Sequence, residues 1–196
     1  MFYDRFTRLL HVFLAAGIVA QLLVSEWMHH PRPEKPGNFL YDLHEYLGLT
    51  LLGLLILHWL WSFVRGGVVP MAQLFPWFSG DRRRALLADI RHYANHMRKL
   101  KLPDASEPSP LAGAIQGVGL VVASIMALTG SLIYFNVGDN WSFAPWLDFV
   151  KEIHEFLGPV MWGYLAVHAS AAIVHQLFGH KLITDMFNLR RKSSTD

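Results

Sequence analysis

The stretch His44–His58, HEYLGLTLLGLLILH, decides how this chain folds, together with a near-copy at His154–His168, HEFLGPVMWGYLAVH. The two segments carry the same residue at seven of fifteen positions, and each is an apolar run with a histidine at both ends. Fourteen residues of helix rise about 21 Å and return to within about 40° of the starting face. Each segment therefore presents two imidazoles on one side of a helix, toward opposite edges of a hydrophobic layer about 30 Å thick. Polar groups inside a membrane are costly, so this arrangement requires a chemical reason.

The composition is that of a membrane protein. Hydrophobic residues make up 53% of the 196 residues and charged residues only 16%, below the quarter that is usual in soluble domains. The length suits a single domain, which we expect to cover residues 1–196. The chain has no cysteine, which excludes disulfides, iron–sulfur clusters, thiolate zinc sites and covalently attached c-type haem. The eleven histidines are the plentiful metal ligands.

Four apolar spans predict the fold. Each is long enough to cross a bilayer as a helix, and none contains Lys or Arg: residues 9–28, 43–64, 111–135 and 153–178. The first span lacks a small-x-small cleavage site after its apolar run, so we expect it to be retained rather than removed as a signal peptide. The predicted class is all-α, an integral membrane four-helix bundle.

The basic residues predict the orientation of the bundle. Fourteen of the seventeen Lys and Arg lie in the N-terminus, the loop between spans two and three or the C-terminal tail, which places both termini in the cytoplasm. The opposite side has only Arg32, Lys35 and Lys151, against eight acidic residues. Such an acidic face favours a basic periplasmic partner, because opposite charges steer encounter. Ordinary solubility of the loops is the alternative explanation.

The loop between spans two and three contains a predicted amphipathic helix, which Ser79 or Asp81 can cap. It has one apolar stripe and a basic opposite face, so we expect it to lie on the cytoplasmic leaflet. The stripe consists of Leu86, Ile90, Tyr93, Met97 and Leu100. The aromatic segment MAQLFPWF at 71–78 is expected at the same interface. In span three, Gly113 and Gly117 form a Gly-x-x-x-Gly pattern that suits close helix packing.

The histidines of spans two and four predict a cofactor. Both spans run in the same direction, so His44 and His154 share one depth, and His58 and His168 share another. Two histidines at one depth can bind haem iron from opposite faces, and a chain without cysteine can hold haem b non-covalently.

A glycine follows each outer histidine by four residues, at Gly48 and Gly158, where the missing side chain makes room for a porphyrin edge. Ordinary small-residue packing is the alternative for these glycines. An intramembrane zinc or copper transporter is the alternative from another functional class, since metal pathways also use intramembrane histidines. We expect five other histidines to be solvated: His29, His30, His92, His96 and His180.

Four motifs together resemble the bacterial cytochrome b561 family, which is related to the b-type cytochrome subunits of nickel–iron hydrogenases and formate dehydrogenases. They are RLLH at Arg8–His11, HEYLG from His44, GSLIYFNVGDNW at Gly130–Trp141, and His154-x13-His168. The resemblance covers nearly the whole chain. It implies a four-helix electron carrier of the bacterial inner membrane that holds two haem b groups.

The resemblance also implies the axial ligands of the haem irons. The outer haem would take His44 and His154, and the inner haem would take His11 and His168. The chain departs from the family at His58, where relatives commonly carry Arg. The repeat would make His58 the partner of His168, so His11 and His58 compete for the inner iron, and the RLLH match favours His11.

By the same resemblance, His175 lies where relatives often have a histidine near a quinone pocket, and there it would exchange a proton. A plain interfacial role is the alternative for His175. The predicted function is electron transfer between the quinone pool, ubiquinone or menaquinone, and a periplasmic c-type cytochrome or other redox protein. The alternative is a superoxide oxidase that passes electrons from superoxide to ubiquinone. The acidic outer face argues against that alternative, because it repels an anion.

Overall fold

The structure, a computed structural model, describes residues 3–32, 34–65, 71–103, 109–137 and 143–189. The elements in these ranges are helices, which confirms the predicted all-α class. In chain order they are α1 (Arg5–Trp27), α2 (Phe39–Val64), α3 (Met71–Leu74), a 3₁₀ turn (Pro76–Phe78), α4 (Gly80–Met97), α5 (Pro110–Asn136), α6 (Pro145–Leu177) and α7 (Leu182–Phe187).

Four of the helices, α1, α2, α5 and α6, are long and apolar enough to cross a membrane. They correspond to the four predicted spans. Their outward surfaces carry large exposed apolar side chains such as Phe63, Leu128 and Val167. A soluble protein would bury such a surface, whereas a lipid bilayer covers it.

The helices extend beyond the apolar spans at their polar ends. α6 begins at Pro145, eight residues before the predicted start at 153. Asp148, Lys151 and Glu152 make its first turns too polar to count as an apolar span, yet Pro suits the first helical position and Leu147 is buried there. The segment after span three is therefore helical from Pro145. Residues 138–142, of which 138–141 belong to the GSLIYFNVGDNW motif, lie outside the described residues.

Contacts divide the chain into two compact units, to each of which all four long helices contribute a segment. The first unit comprises Met1–Val12, Trp59–Leu120 and Leu165–Asp196, and the second unit comprises Phe13–His58 and Val121–Tyr164. In the first unit the Trp61 indole and Arg65 guanidinium donate to the Thr7 hydroxyl, each at 3.0 Å. In the second unit the Trp162 indole donates to the Glu26 carboxylate at 3.1 Å.

The Gly-x-x-x-Gly pattern of α5 gives the predicted close packing, but its partner is the short helix α3. A Cβ added at Gly113 would lie 2.8 Å from the Gln73 carbonyl oxygen, and one added at Gly117 would overlap the Leu74 carbonyl oxygen. The missing side chains therefore let the α3 backbone lie directly on α5. This packing buries Leu74 and Pro76, so the segment 71–78 is partly a core element of the first unit.

α4 has the predicted amphipathic pattern, with its basic side chains exposed and Leu86 and Tyr93 half-buried. Neither predicted cap forms, because the Ser79 side chain makes no capping hydrogen bond and Asp81 pairs with Arg84. Instead, Asp89 on α4 accepts the backbone N–H of Leu111 at 2.9 Å and so caps the first turn of α5. This bond attaches α4 to α5 within the first unit.

Candidate haem-binding sites

The second unit brings the two predicted outer ligands together. His44 on α2 and His154 on α6 have ring centres 6.2 Å apart and ring planes at 87°. The first unit does the same for His11 on α1 and His168 on α6, with ring centres 6.3 Å apart and planes at 47°. Each unit therefore contains one histidine pair built from two different helices.

Both separations fit two imidazoles that bind one iron. A metal–imidazole bond is about 2 Å long and the ring centre lies about 1 Å beyond the nitrogen, so rings on opposite sides of one metal ion have centres about 6 Å apart. The observed 6.2 Å and 6.3 Å match this value. His58 lies in the second unit, half-buried on α2.

A cavity of about 410 Å³ lies within the second unit, and His44 and His154 line it. This volume is within the usual range of small-molecule and cofactor sites. Gly48 and Gly158, the glycines singled out by the sequence, also line the cavity, and a Cβ added at Gly158 would meet nothing within 4 Å. The space beside the histidines is therefore open, as a bound planar cofactor requires.

Two buried polar atoms at this cavity have no hydrogen-bond partner among the described residues: Nδ1 of His44 and Oε1 of Gln21. The Gln21 amide nitrogen donates to the backbone carbonyl of His44 at 2.8 Å. Unsatisfied buried polar atoms are uncommon and point to a bound group or water that completes the site. The residues present therefore fit a haem held by His44 and His154.

Three of the four charged residues that line the cavity are acidic. They are Glu26, Glu45 and Glu155, and the fourth is Lys151. The Lys151 ammonium forms an ion pair with Glu155 at 3.2 Å and lies 5.9 Å from the centre of the Phe143 ring. Its positive charge is therefore partly compensated. His30, expected to be solvated, is exposed and also lines the cavity.

Three residues that line the cavity or contact its histidines were not predicted from the sequence. Gln21 and the fully buried Met161 line it, and Thr129 on α5 contacts His154. The repeat could not single out Thr129, because α5 contains no histidine. In the sequence, Gln21 is a single polar residue within span one, and Met161 is one of many apolar residues within span four.

In the first unit, a segment that includes α7 covers the His11 end of the histidine pair. The Phe187 ring packs edge-on against His11, with ring centres 6.1 Å apart. The guanidinium of Arg8, which is 0% exposed, donates to the Asn188 carbonyl oxygen at 2.5 Å, and Arg5 donates to the Leu189 carbonyl oxygen at 3.1 Å. The RLLH motif thus supplies both a candidate ligand and an anchor for this segment.

His175 lies near the end of α6, buried against the Tyr93 ring of α4 at 6.0 Å. The helix ends in a Schellman motif, in which Gly179 has a φ of +90° and the His180 N–H donates to the His175 carbonyl at 2.9 Å. This turn places His180 Nδ1 2.8 Å from His175 Nδ1. His180 is therefore half-buried and hydrogen-bonded, which differs from the expected solvated state.

Tyr93 lies outside the spans, and its phenol has a raised pKa. Burial raises the pKa of Tyr93, a hydrogen bond with Ser109 lowers it, and the nearby Asp89 carboxylate raises it further. Tyr93 therefore stays protonated at neutral pH. In the described ranges, no cluster of three or more His, Asp or Glu residues could hold a metal ion.

A family model of prokaryotic cytochrome b561 matches residues 2–189 of the chain. With the four candidate spans, this match defines a multi-pass bacterial membrane protein, a b-type cytochrome that binds haem b and acts in electron transfer. The chain belongs to the prokaryotic cytochrome b561 family, as its motifs predicted. Searches of curated proteins and of solved structures gave no match.

Proposed function

We propose that the chain is a di-haem cytochrome b of the bacterial inner membrane that passes electrons between the quinone pool and a periplasmic redox partner. One observation carries the proposal: each compact unit contains a histidine pair whose ring separation, 6.2 Å or 6.3 Å, suits bis-imidazole ligation of an iron. Haem b supplies a reversible one-electron couple without covalent attachment. Two such pairs support two haems per chain.

The residues of each unit have distinct tasks in this proposal. In the second unit, His44 and His154 hold the cofactor and Gly158 leaves space for its edge. In the first unit, His11 and His168 hold the cofactor, and Phe187 shields the His11 ring from water. The apolar side chains around each pair lower the local dielectric constant. A low dielectric constant favours a bound cofactor that has little net charge.

The charge distribution supports cytoplasmic termini and a periplasmic partner. The exposed basic face of α4 suits the cytoplasmic side under the positive-inside rule. The acidic residues that line the second-unit cavity suit a basic protein such as a c-type cytochrome, because complementary charges accelerate encounter. It gives less support to superoxide as the electron donor, because Lys151 is already paired with Glu155.

The His175–His180 pair supports proton exchange with a quinone, either ubiquinone or menaquinone, in the first unit. A contact of 2.8 Å between two Nδ1 atoms is a hydrogen bond only when one ring donates a proton and the other accepts it. The pair can therefore hold one proton in a buried position beside Tyr93. Quinone reduction consumes protons as well as electrons, so the pair can pass a proton to the quinone.

Haem content tests the proposal directly. We expect purified protein to contain two low-spin b haems per chain by pyridine haemochrome assay and reduced-minus-oxidised spectra. His44→Ala and His154→Ala should each lose one haem of the two, because each removes one ligand of the second-unit pair. The exposed His92→Ala is the matched control and should keep both. A single haem in the unmodified protein, or two haems in His154→Ala, would contradict the proposal.

A further inference from the structure

Thr129 of α5 makes a hydrogen bond with one member of the second-unit histidine pair. Its hydroxyl oxygen lies 2.9 Å from Nδ1 of His154, and the Thr129 side chain is buried. The contact joins α5, which has no histidine, to the helix that carries the candidate ligand. The other candidate ligand, His44, has no hydrogen-bond partner for its Nδ1 among the described residues.

The neighbours of Thr129 fix the direction of this hydrogen bond. The hydroxyl oxygen also lies 2.7 Å from the Ile125 carbonyl and 3.0 Å from the Met126 carbonyl. Carbonyl oxygens only accept, so the hydroxyl proton points toward them and the hydroxyl oxygen accepts from His154. The His154 ring therefore carries its proton on Nδ1, which leaves a lone pair on Nε2.

Gly130, the next residue on α5, sets the position of the same ring. A Cβ added at Gly130 would lie 3.0 Å from Cε1 of His154, 3.6 Å from Nδ1 and 3.7 Å from Nε2. The imidazole thus packs directly on the α5 backbone, while Thr129 holds one ring nitrogen. The backbone carbonyl of Met126, one turn earlier on α5, also hydrogen-bonds to the ring. Gly130 therefore sets the location of the ring, and Thr129 and Met126 both favour the Nδ1–H tautomer.

We propose that Thr129 is a positioning residue that fixes His154 in the tautomer able to bind iron through Nε2. The inference rests on the proposed role of His154 as an axial ligand. A hydrogen-bond acceptor at Nδ1–H makes an imidazole a stronger electron donor, which favours the more oxidised state of a bound metal. Loss of the hydroxyl therefore raises the midpoint potential of the haem in the second unit.

Thr129→Val and Thr129→Ser test the proposal as a matched pair in the full-length holoprotein. Valine keeps the side-chain shape without the hydroxyl, whereas serine keeps the hydroxyl. We expect redox titration of Thr129→Val to show one midpoint potential shifted upward and the other unchanged, with an altered low-spin EPR signal from the shifted haem. Thr129→Ser should titrate like the unmodified protein. Thr129→Ala also lacks the hydroxyl and should shift the same potential. It provides the same test if the valine variant accumulates poorly.

Unchanged potentials in Thr129→Val and Thr129→Ala would overturn the positioning role, as would an equal shift in Thr129→Ser. Loss of one haem in Thr129→Val and Thr129→Ala but not in Thr129→Ser supports it, because the hydroxyl is the group that both failing variants lack and the serine variant keeps. His154→Ala separates this failure from that of the proposed function. If His154→Ala keeps both haems, the ligand assignment fails and the role of Thr129 fails with it. If His154→Ala loses one haem while the potentials of Thr129→Val are unchanged, only the positioning role fails.

Discussion

At the scale of single residues, the two histidine pairs have different kinds of neighbours. In the second unit, polar groups contact the pair: the Thr129 hydroxyl at His154 and the Gln21 amide at the backbone of His44. In the first unit, an aromatic ring packs on His11. Hydrogen bonds to a ligand change its electron donation, whereas an apolar ring mainly excludes water. We therefore expect the Thr129 hydroxyl to lower the midpoint potential of the haem proposed for the second unit.

The competition between His11 and His58 gives the first residue-scale prediction. His11→Ala should lose one of two haems, because His11 and His168 are the pair with the 6.3 Å separation in the first unit. His58→Ala should keep both haems. Haem-to-protein ratios of the two purified variants provide the measurement. Loss of a haem from His58→Ala together with full content in His11→Ala would reverse the assignment.

Gly130 gives the second residue-scale prediction. Gly130→Ala should weaken haem binding in the second unit by about tenfold, because the added Cβ would lie 3.0 Å from the His154 ring and must displace it. Gly53→Ala is the control, since a Cβ there would meet nothing within 4 Å. Haem retention during titration with a haem-binding competitor measures the difference. Equal retention in both variants would show that the ring can shift without loss of binding.

The sequence identified the four candidate ligands but not the residues around them. His44, His154 and His168 follow from a visible repeat, and His11 follows from a family motif. Thr129 and Gln21 reach the histidines only through the rotation of α5 and α1 against their neighbours, and periodicity along one helix does not contain that rotation. The ligand assignment itself stays a prediction until haem content is measured.

At the scale of elements, the contact between α5 and α3 gives the third prediction. Gly117→Ala should destabilise the first unit by about 1–3 kcal/mol, because the added methyl group would overlap the Leu74 carbonyl and force the two backbones apart. Gly163→Ala, where nothing lies within 4 Å of the added Cβ, should leave stability unchanged. Thermal unfolding in detergent compares the two variants. A Gly117→Ala protein as stable as Gly163→Ala would mean that α3 moves away at no cost.

The long helices were predictable and the short ones were not. Apolar runs of about twenty residues identify α1, α2, α5 and α6, because a membrane span requires such a run. The four-residue helix α3 and six-residue helix α7 have no comparable signal, since their stability comes from tertiary contacts. The helix ends were missed for a related reason: charged turns such as 145–152 continue the helix outside the apolar run.

At the scale of the whole molecule, charge distribution gives the fourth prediction. Electron exchange with a basic soluble c-type cytochrome should slow as ionic strength rises, because salt screens the attraction to the acidic residues of the second-unit cavity. Stopped-flow mixing at several salt concentrations measures this dependence. Superoxide, as an anion, should reduce the added quinone only slowly. Fast superoxide-driven quinone reduction, with no salt dependence toward the basic cytochrome, would favour the superoxide oxidase alternative.

The organisation into two units is also a property of the whole molecule. The sequence predicts one membrane domain over residues 1–196, and this stays a prediction. The sequence does not reveal that contacts group into two units, because the boundaries between the units fall inside the four long helices. These boundaries lie at Val12/Phe13, His58/Trp59, Leu120/Val121 and Tyr164/Leu165. The grouping depends on which helix segments lie near one another, and hydropathy along the chain does not contain that information.

The hydrogen bond between Arg8 and Asn188 can form only late in synthesis of the chain. It joins residues 180 positions apart, and the ribosome adds about 5–20 residues per second, so Arg8 waits about 10–40 s for its partner. For most of that interval, His168 and Phe187 have yet to be synthesised. The surroundings of the first-unit histidine pair therefore form only after residue 188 has been synthesised, and we expect haem to bind there after that point.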